Sequence, residues 1–554
     1  MRPTDPPPSN VFETADAANG LDTAYLLGPG NSFFGTLESG DTDWVAVQLG
    51  IGSVYNFQVM GTGVDALSDS RAHLSLYTYN GTRVTRDDVT GDDGDGISAD
   101  IWFRAEYNGI YYLKVSSPSI GDYELASEVT VDFPPFFVDV DTIAEQLTTG
   151  YWAQFGEGQR RFDVSAGETL SVNITGLTTA GQYLATEALA AWTAVTGIGF
   201  NFVAIPDGAD IVFDDEEEGA FASASVAPTP DLEKPVFITS ATVNVSADWL
   251  STYGTGLDTY SFETYIHEIG HALGLGHAGN YNGTATYGVS NKFLNDSWQA
   301  TVMSYFSQDE NPVIDANYAA TITPMLADLL AIQELYDTAD DLRAGDTVYG
   351  VGSTAGGYYD DLVSMRNPVT LTILDHGGVD TINMSIVTAT PMDQLIDLRA
   401  EAISSVLGLK GNLIIARGTV IENAIGGAGD DVLKGNSVAN ILTGGQGQDR
   451  LRGAQGRDVL KGGKGDDVLT GGKGADAFVF KSKGGKDTIL DFQDDRDTIR
   501  LDDALWSGAL TKQGVVDTFA TVVGSDVVFD FGINELIIKG FTDLGELADD
   551  LSII

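Results

Sequence analysis

Residues 426–479 read GGAGDDVLK, GNSVANILT, GGQGQDRLR, GAQGRDVLK, GGKGDDVLT and GGKGADAFV, six units of nine residues with no gap between them. A period that strict, with an apolar residue at a fixed place, is not the pattern of a Gly-rich linker. It predicts a stack in which each unit makes the same turn and hands the chain to the next. Leu433, Leu442, Leu451, Leu460 and Leu469 hold the eighth place and would line the inside of the stack. Asp431, Asp449, Asp458, Asp467 and Asp476 hold the sixth. Glycine permits tight turns that expose carbonyls, and carbonyl and carboxylate oxygens are the hard ligands calcium takes. The repeats therefore predict several Ca2+ ions on these Asp residues. Without calcium the Asp rows repel and the stack should unfold. Asn440 stands at the sixth place of the second unit and should weaken its site.

Outward from the repeats, the whole chain is acidic. Its 554 residues carry 80 Asp and Glu against 29 Lys and Arg, a formal net charge of −51. Phosphate binding needs clustered Lys and Arg, so nucleic acid is not expected as a partner. A salt-adapted surface is the other reading of this charge. There is no cysteine, which excludes disulfides, thiolate metal ligands and a cysteine nucleophile. No stretch approaches the roughly 18 apolar residues of a membrane span. MRPTDPPPSN at residues 1–10 lacks the apolar core of a signal peptide, so an export address is expected elsewhere.

Upstream of the repeats, residues 267–277 read HEIGHALGLGH. On a helix, His267 and His271 project from one face, close enough to share a small cation. Zinc takes imidazole nitrogens readily. Glu268 is rotated by about 100° on the same turn and can reach a water beside the metal without being a ligand. Gly274 can take the left-handed conformation that ends a helix, and the chain can then turn back to bring in His277 as third ligand. Three protein ligands leave the fourth position for water, the catalytic pattern of zinc sites. Three of the five His in the chain fall in these eleven residues, and His73 and His376 read as ordinary surface or turn residues. Around the motif the pattern is mixed α/β. Residues 181–195 and 260–274 read as helices. TPMLADLLAIQELY reads as a third, with Thr323 as N-cap and Pro324 at the first position.

The pattern HExxHxxGxxH resembles the metzincin signature, and GGxGxD resembles the RTX nonapeptide. TVMSYF at 301–306 is similar to the Met-turn of that family. The resemblance implies that Met303 packs beneath the three His and that Tyr305 assists the transition state beside zinc. LTTGYW (147–152), ADIVFDD, DSWQATVMSYF, GDTVYG, GGVDTINMS and ADAFVF follow the order found in serralysins, so residues 139–554 resemble that family. The resemblance implies a zinc endopeptidase acting on protein and peptide substrates, with Glu268 as general base. It implies an extended substrate added to a sheet edge near Gly219–Ser225. It also implies secretion to the extracellular space by a type I system reading the C-terminal end, where Ser552 interrupts the usual pattern. A monomer is expected.

The long N-terminal part departs from serralysins. GDTDWVAVQL, LYTYNG, GIYYLKV and GDYEL alternate with period two and resemble the bacterial pre-peptidase C-terminal-type domain. Asp87, Asp88, Asp92, Asp93 and Asp95 are a possible calcium turn or a solvated one. The expected architecture is multidomain: a disordered leader (1–18), an N-terminal β-sandwich (19–133), an α+β metzincin zinc-peptidase domain (139–345), a C-terminal parallel β-roll of RTX type (346–480) and a β-rich secretion segment (481–554). Two other readings stay open. One is an RTX adhesin whose protease domain is inert; the other is a zinc hydrolase acting on non-peptide substrates.

Overall fold

The computed structural model describes residues 137–554 apart from 228–234, 337–341 and 387–390. Before these it describes the strands between residues 11 and 130 with parts of their turns. Contacts divide the chain into Met1–Pro134 and Pro135–Ile554, and each unit is described by itself.

In the first unit, period-two alternation produces two five-stranded sheets. Ser32–Leu37, for example, turns Phe33, Gly35 and Leu37 inward. Phe33, Phe57, Val59 and Leu125 of one sheet share a core with Val45, Val47, Leu113 and Val115 of the other. The Tyr123 hydroxyl donates to Asp43 across this core at 2.7 Å. The leader expected over 1–18 is corrected in part: Val11–Phe12 form a strand parallel to Phe33–Phe34, with Phe12 stacked on Phe34. Two apolar residues suffice to extend an existing edge. Asp92, Asp93 and Asp95 lie outside the described residues, as do the side chains of Asp87 and Asp88.

After a helical segment over residues 140–153, the second unit builds a mixed sheet. Val236–Val245 is flanked by the parallel Ile211–Asp214 and by the antiparallel Ala220–Val226. Two helices cover it. Thr179–Thr196 starts on the Thr178 hydroxyl, which accepts from the Gly181 N–H, and ends on left-handed Gly197. Tyr260–Ala272 carries the His motif, and the Trp192 Nε1–H ties the two together by donating to the Ile266 carbonyl at 3.0 Å. The third helix begins later than expected, at Leu326. Thr323 is not its cap: its hydroxyl accepts from the Thr372 N–H, and Asp328 folds back onto the Met325 N–H instead.

From Val348 onward most strands fall in two eight-stranded sheets of mostly parallel strands, while Val369–Ile373, Ile403–Ser404 and Leu413–Ile415 join Ala320–Thr321 in a separate four-stranded sheet. The nine-residue period places Leu433 beside Leu451 and Leu451 beside Leu469 in one sheet, and Leu442 beside Leu460 in the other. All five are buried. Both sheets continue past residue 480 through Lys486–Ile489, Thr498–Leu501 and Leu551–Ile553. A short helix over Lys512–Phe519 interrupts the expected strands. One core runs from Ile143 through the repeats to Leu551.

Candidate active site

His267 and His271 come from one face of the Tyr260–Ala272 helix. Gly274, at φ +111°, turns the chain there; a Cβ at that position would lie 2.0 Å from the Arg160 carbonyl oxygen. The reversal brings in His277, and one nitrogen from each ring lies within 4.8 Å of the other two. The His267 Nδ1 lies 2.7 Å from the Val302 carbonyl, and the His271 Nδ1 lies 2.8 Å from the Leu275 carbonyl. A carbonyl only accepts, so each Nδ1 carries the proton and each Nε2 keeps a lone pair. The His271 and His277 Nε2 atoms are 2.9 Å apart. Burial lowers the pKa of His267 to about 4 and of His271 to about 3, and lowers His277 as well. All three are neutral, His267 and His271 are oriented by those carbonyls, and the set fits a zinc ion.

The turn after the helix supports them. Met303 is fully buried, with its sulfur so close to Gly270 that a Cβ there would lie 2.7 Å away. Asp328 accepts from the Val302 and Met325 N–H groups and from the Thr301 hydroxyl. It thereby fixes the carbonyl that orients His267. Tyr305 lies with its ring centroid 4.6 Å from His277 and 5.9 Å from His267, and its hydroxyl accepts from the Gly283 N–H. Burial raises its pKa, so it keeps its proton. Tyr281 packs 4.9 Å from Tyr305 and donates to Asp296, which also accepts from the Ser304 hydroxyl. Burial pushes Asp296 and Asp328 up to about 7. Neither acid, nor Tyr281, belongs to a catalytic motif in the sequence. The one available signal was Asp328 within the apolar run LADLLAI.

Glu268 is 6% exposed, and its Oε2 has no hydrogen-bond partner. Burial pushes the carboxyl up to about 8, with the Ala222 N–H pulling the other way. Ala222 belongs to Ala220–Val226, the strand that pairs only with Val236–Val245 among the described residues. Its side chains alternate between half-buried and exposed. Two clefts meet at Glu268 and Tyr305, one reaching past His267 and the other past His271 and His277.

In the repeats, Asp431, Asp449, Asp458, Asp467 and Asp476 are all buried. Each uses Oδ1 to accept a backbone N–H from an earlier turn; Asp449, for instance, accepts from Asp431 at 2.8 Å. Each Oδ2 is buried without a partner. Burial raises all five carboxyls, Asp431 and Asp449 to about 7. Such oxygens fit a hard cation. Asn440 instead closes on itself, donating to the Glu422 carbonyl and accepting from the Asn436 N–H. Asp487 and Asp497 continue the two rows, accepting from Asp467 and Asp476.

Residues 338–551 match the family described as peptidase M10 serralysin C terminal, and residues 236–330 match metallo-peptidase family M12B, reprolysin-like. A serralysin of Photorhabdus sp. (strain Az29) is 36% identical over 271 residues, 47% of this chain and 54% of that protein. A serralysin of Photorhabdus luminescens is 38% identical over 259 residues, 46% of this chain and 52% of that protein. The chain spans about half the length of these relatives. The metallopeptidase AprA of Pseudomonas marginalis is 30% identical over 335 residues, 57% of this chain and 69% of AprA. By that coverage, the chain belongs to the serralysin-type metallopeptidase family, which implies a zinc cofactor.

Proposed function

We propose that this chain is a secreted zinc endopeptidase that hydrolyses peptide bonds of extracellular proteins and is stabilised by calcium in its repeats. The observation that carries the reading is the buried convergence of the His267, His271 and His277 nitrogens beside an unpartnered Glu268 oxygen.

His267, His271 and His277 would hold the zinc, which when bound supplies positive charge that acidifies water and polarises a carbonyl. Ala220–Val226 offers its free backbone edge to an extended substrate, pairing it as an added strand. Glu268 takes a proton from the attacking water and passes it to the leaving amine. Its dry surroundings keep the carboxyl basic enough to do so. The Tyr305 O–H leaves the Gly283 N–H and donates to the oxygen on which negative charge develops. Met303 packs beneath the His residues as a support.

In the repeats, the second oxygens of Asp431, Asp449, Asp458, Asp467 and Asp476 would contribute to calcium sites, and Asp487 and Asp497 extend the set. We read 139–345 as the catalytic domain, 346–480 as the calcium-bound β-roll, and 481–554 as the segment read by a type I exporter. Residues 19–133 are read as an accessory β-sandwich; two sheets sharing one core support that. The intact set of ligands, base and Tyr305 disfavours an inert adhesin.

His277→Ala tests the ligand assignment. The variant is expected to lose both stoichiometric zinc and casein cleavage, and full zinc content would remove His277 from the ligand set.

A further inference from the structure

The cleft on the His267 side has an unusual floor. It measures about 360 Å³ and is lined by Trp249, Tyr260, Glu263 and Trp298 among others. Glu263 lies four residues before His267 on the same helix, about 6 Å along its axis at 1.5 Å per residue. It is 2% exposed, and one oxygen accepts from the Thr321 N–H at 2.9 Å. Among the described residues, no Lys or Arg lines this cleft. The Thr264 hydroxyl is already committed, donating to the Tyr260 carbonyl and accepting from the Trp249 Nε1–H. The Tyr260 ring lies 5.9 Å from Trp249 and 5.5 Å from Trp298, so three aromatic rings wall the space.

A buried carboxyl with one N–H and no cation resists ionisation, and burial raises its pKa accordingly. An apolar side chain entering the cleft would leave it in that state. A cation would supply the missing partner in a charge-assisted hydrogen bond. Aromatic faces attract cations and pack against the alkyl stem of Lys or Arg. The distance from the His ligands demands a long side chain with its polar group at the tip.

We propose that Glu263 is a specificity-determining residue that selects substrates with Lys or Arg at one of the two residues flanking the scissile bond. The cationic tip reaches its carboxylate between Trp249, Tyr260 and Trp298. The proposal rests on the zinc-peptidase reading and adds its substrate class. The plainer role for Glu263 is to anchor Thr321, which a Gln would perform equally well through the same carbonyl-type oxygen. Glu263→Gln therefore separates the two.

The experiment uses the full chain with zinc and calcium and a series of internally quenched peptides. The peptides differ only in carrying Lys, Arg, Gln, Leu or Ala on either side of the bond. For the wild type, kcat/KM is expected to be at least about tenfold higher with Lys or Arg than with Leu at one of the two positions. In Glu263→Gln that ratio is expected to fall at least about tenfold. An unchanged ratio overturns the proposal. So does a wild type that prefers Leu, whether or not the variant folds. Cleavage without a basic preference defeats this proposal alone, whereas cleavage of neither peptides nor casein defeats the peptidase reading and this proposal with it.

Discussion

The His triad beneath the edge strand and the Asp rows of the repeats are both suited to cations, yet they bury opposite kinds of ligand. The histidines are neutral when buried, and two of them are oriented by carbonyls that accept from Nδ1. They need no counter-charge, so the site can stand with or without its metal. The aspartates each satisfy one oxygen and bury the other without a partner. They require either a proton or a cation, so the fold around them is conditional. On the proposed reading, the zinc site sits in a finished protein, whereas calcium at the Asp rows finishes the protein.

Chelation separates the two most strongly. Removing calcium is expected to abolish most of the β-sheet circular dichroism of the repeats, while removing zinc alone leaves the spectrum nearly unchanged. Equal loss in both cases would erase the distinction. Leu451→Ala, at a position 2% exposed in the stack, is expected to destabilise the repeats by about 2–5 kcal/mol in calcium, read from denaturant unfolding. A cost near zero would mean the Leu column is not the core.

The pH dependence in chelator is a sharper test. Burial raises the Asp431 and Asp449 pKa to about 7 and the Asp458 and Asp467 pKa to about 6. The folded rows then hold protons more tightly than the unfolded chain, whose carboxyls titrate near 4. Stability from these protons is full below about 4 and is lost as pH climbs to about 7. Without calcium, the thermal midpoint of the repeats should be higher at pH 4.5 than at pH 7.5. The opposite order would contradict the buried, unpaired oxygens. The smallest expected effect comes from Asn440→Asp, which should lower the calcium concentration at the folding midpoint by a few-fold. An increase would show that the Asn436 and Glu422 contacts matter more than the added charge.

These regions also differ in how openly the sequence announces them. HEIGHALGLGH could be read because helical spacing and one turning Gly are local. The Leu and Asp columns could be read because the period repeats. Asp487 and Asp497 escaped because the spacing there stretches to 20 and 21 residues. Asp296, Asp328 and Glu263 escaped because their meaning is burial against distant chain: Asp328 holds Thr301 and Val302, and Glu263 holds Thr321. Thr323 failed as a cap for a related reason. A local rule gave way to a partner 49 residues away.

In the proposed mechanism Glu268 performs proton transfer beside a zinc ion it does not bind. The most direct measurement compares zinc content and casein cleavage in wild type and Glu268→Ala. Stoichiometric zinc is expected in both proteins, with a loss of cleavage of about 100-fold or more in the variant. Full cleavage by Glu268→Ala, with zinc bound, would contradict that mechanism.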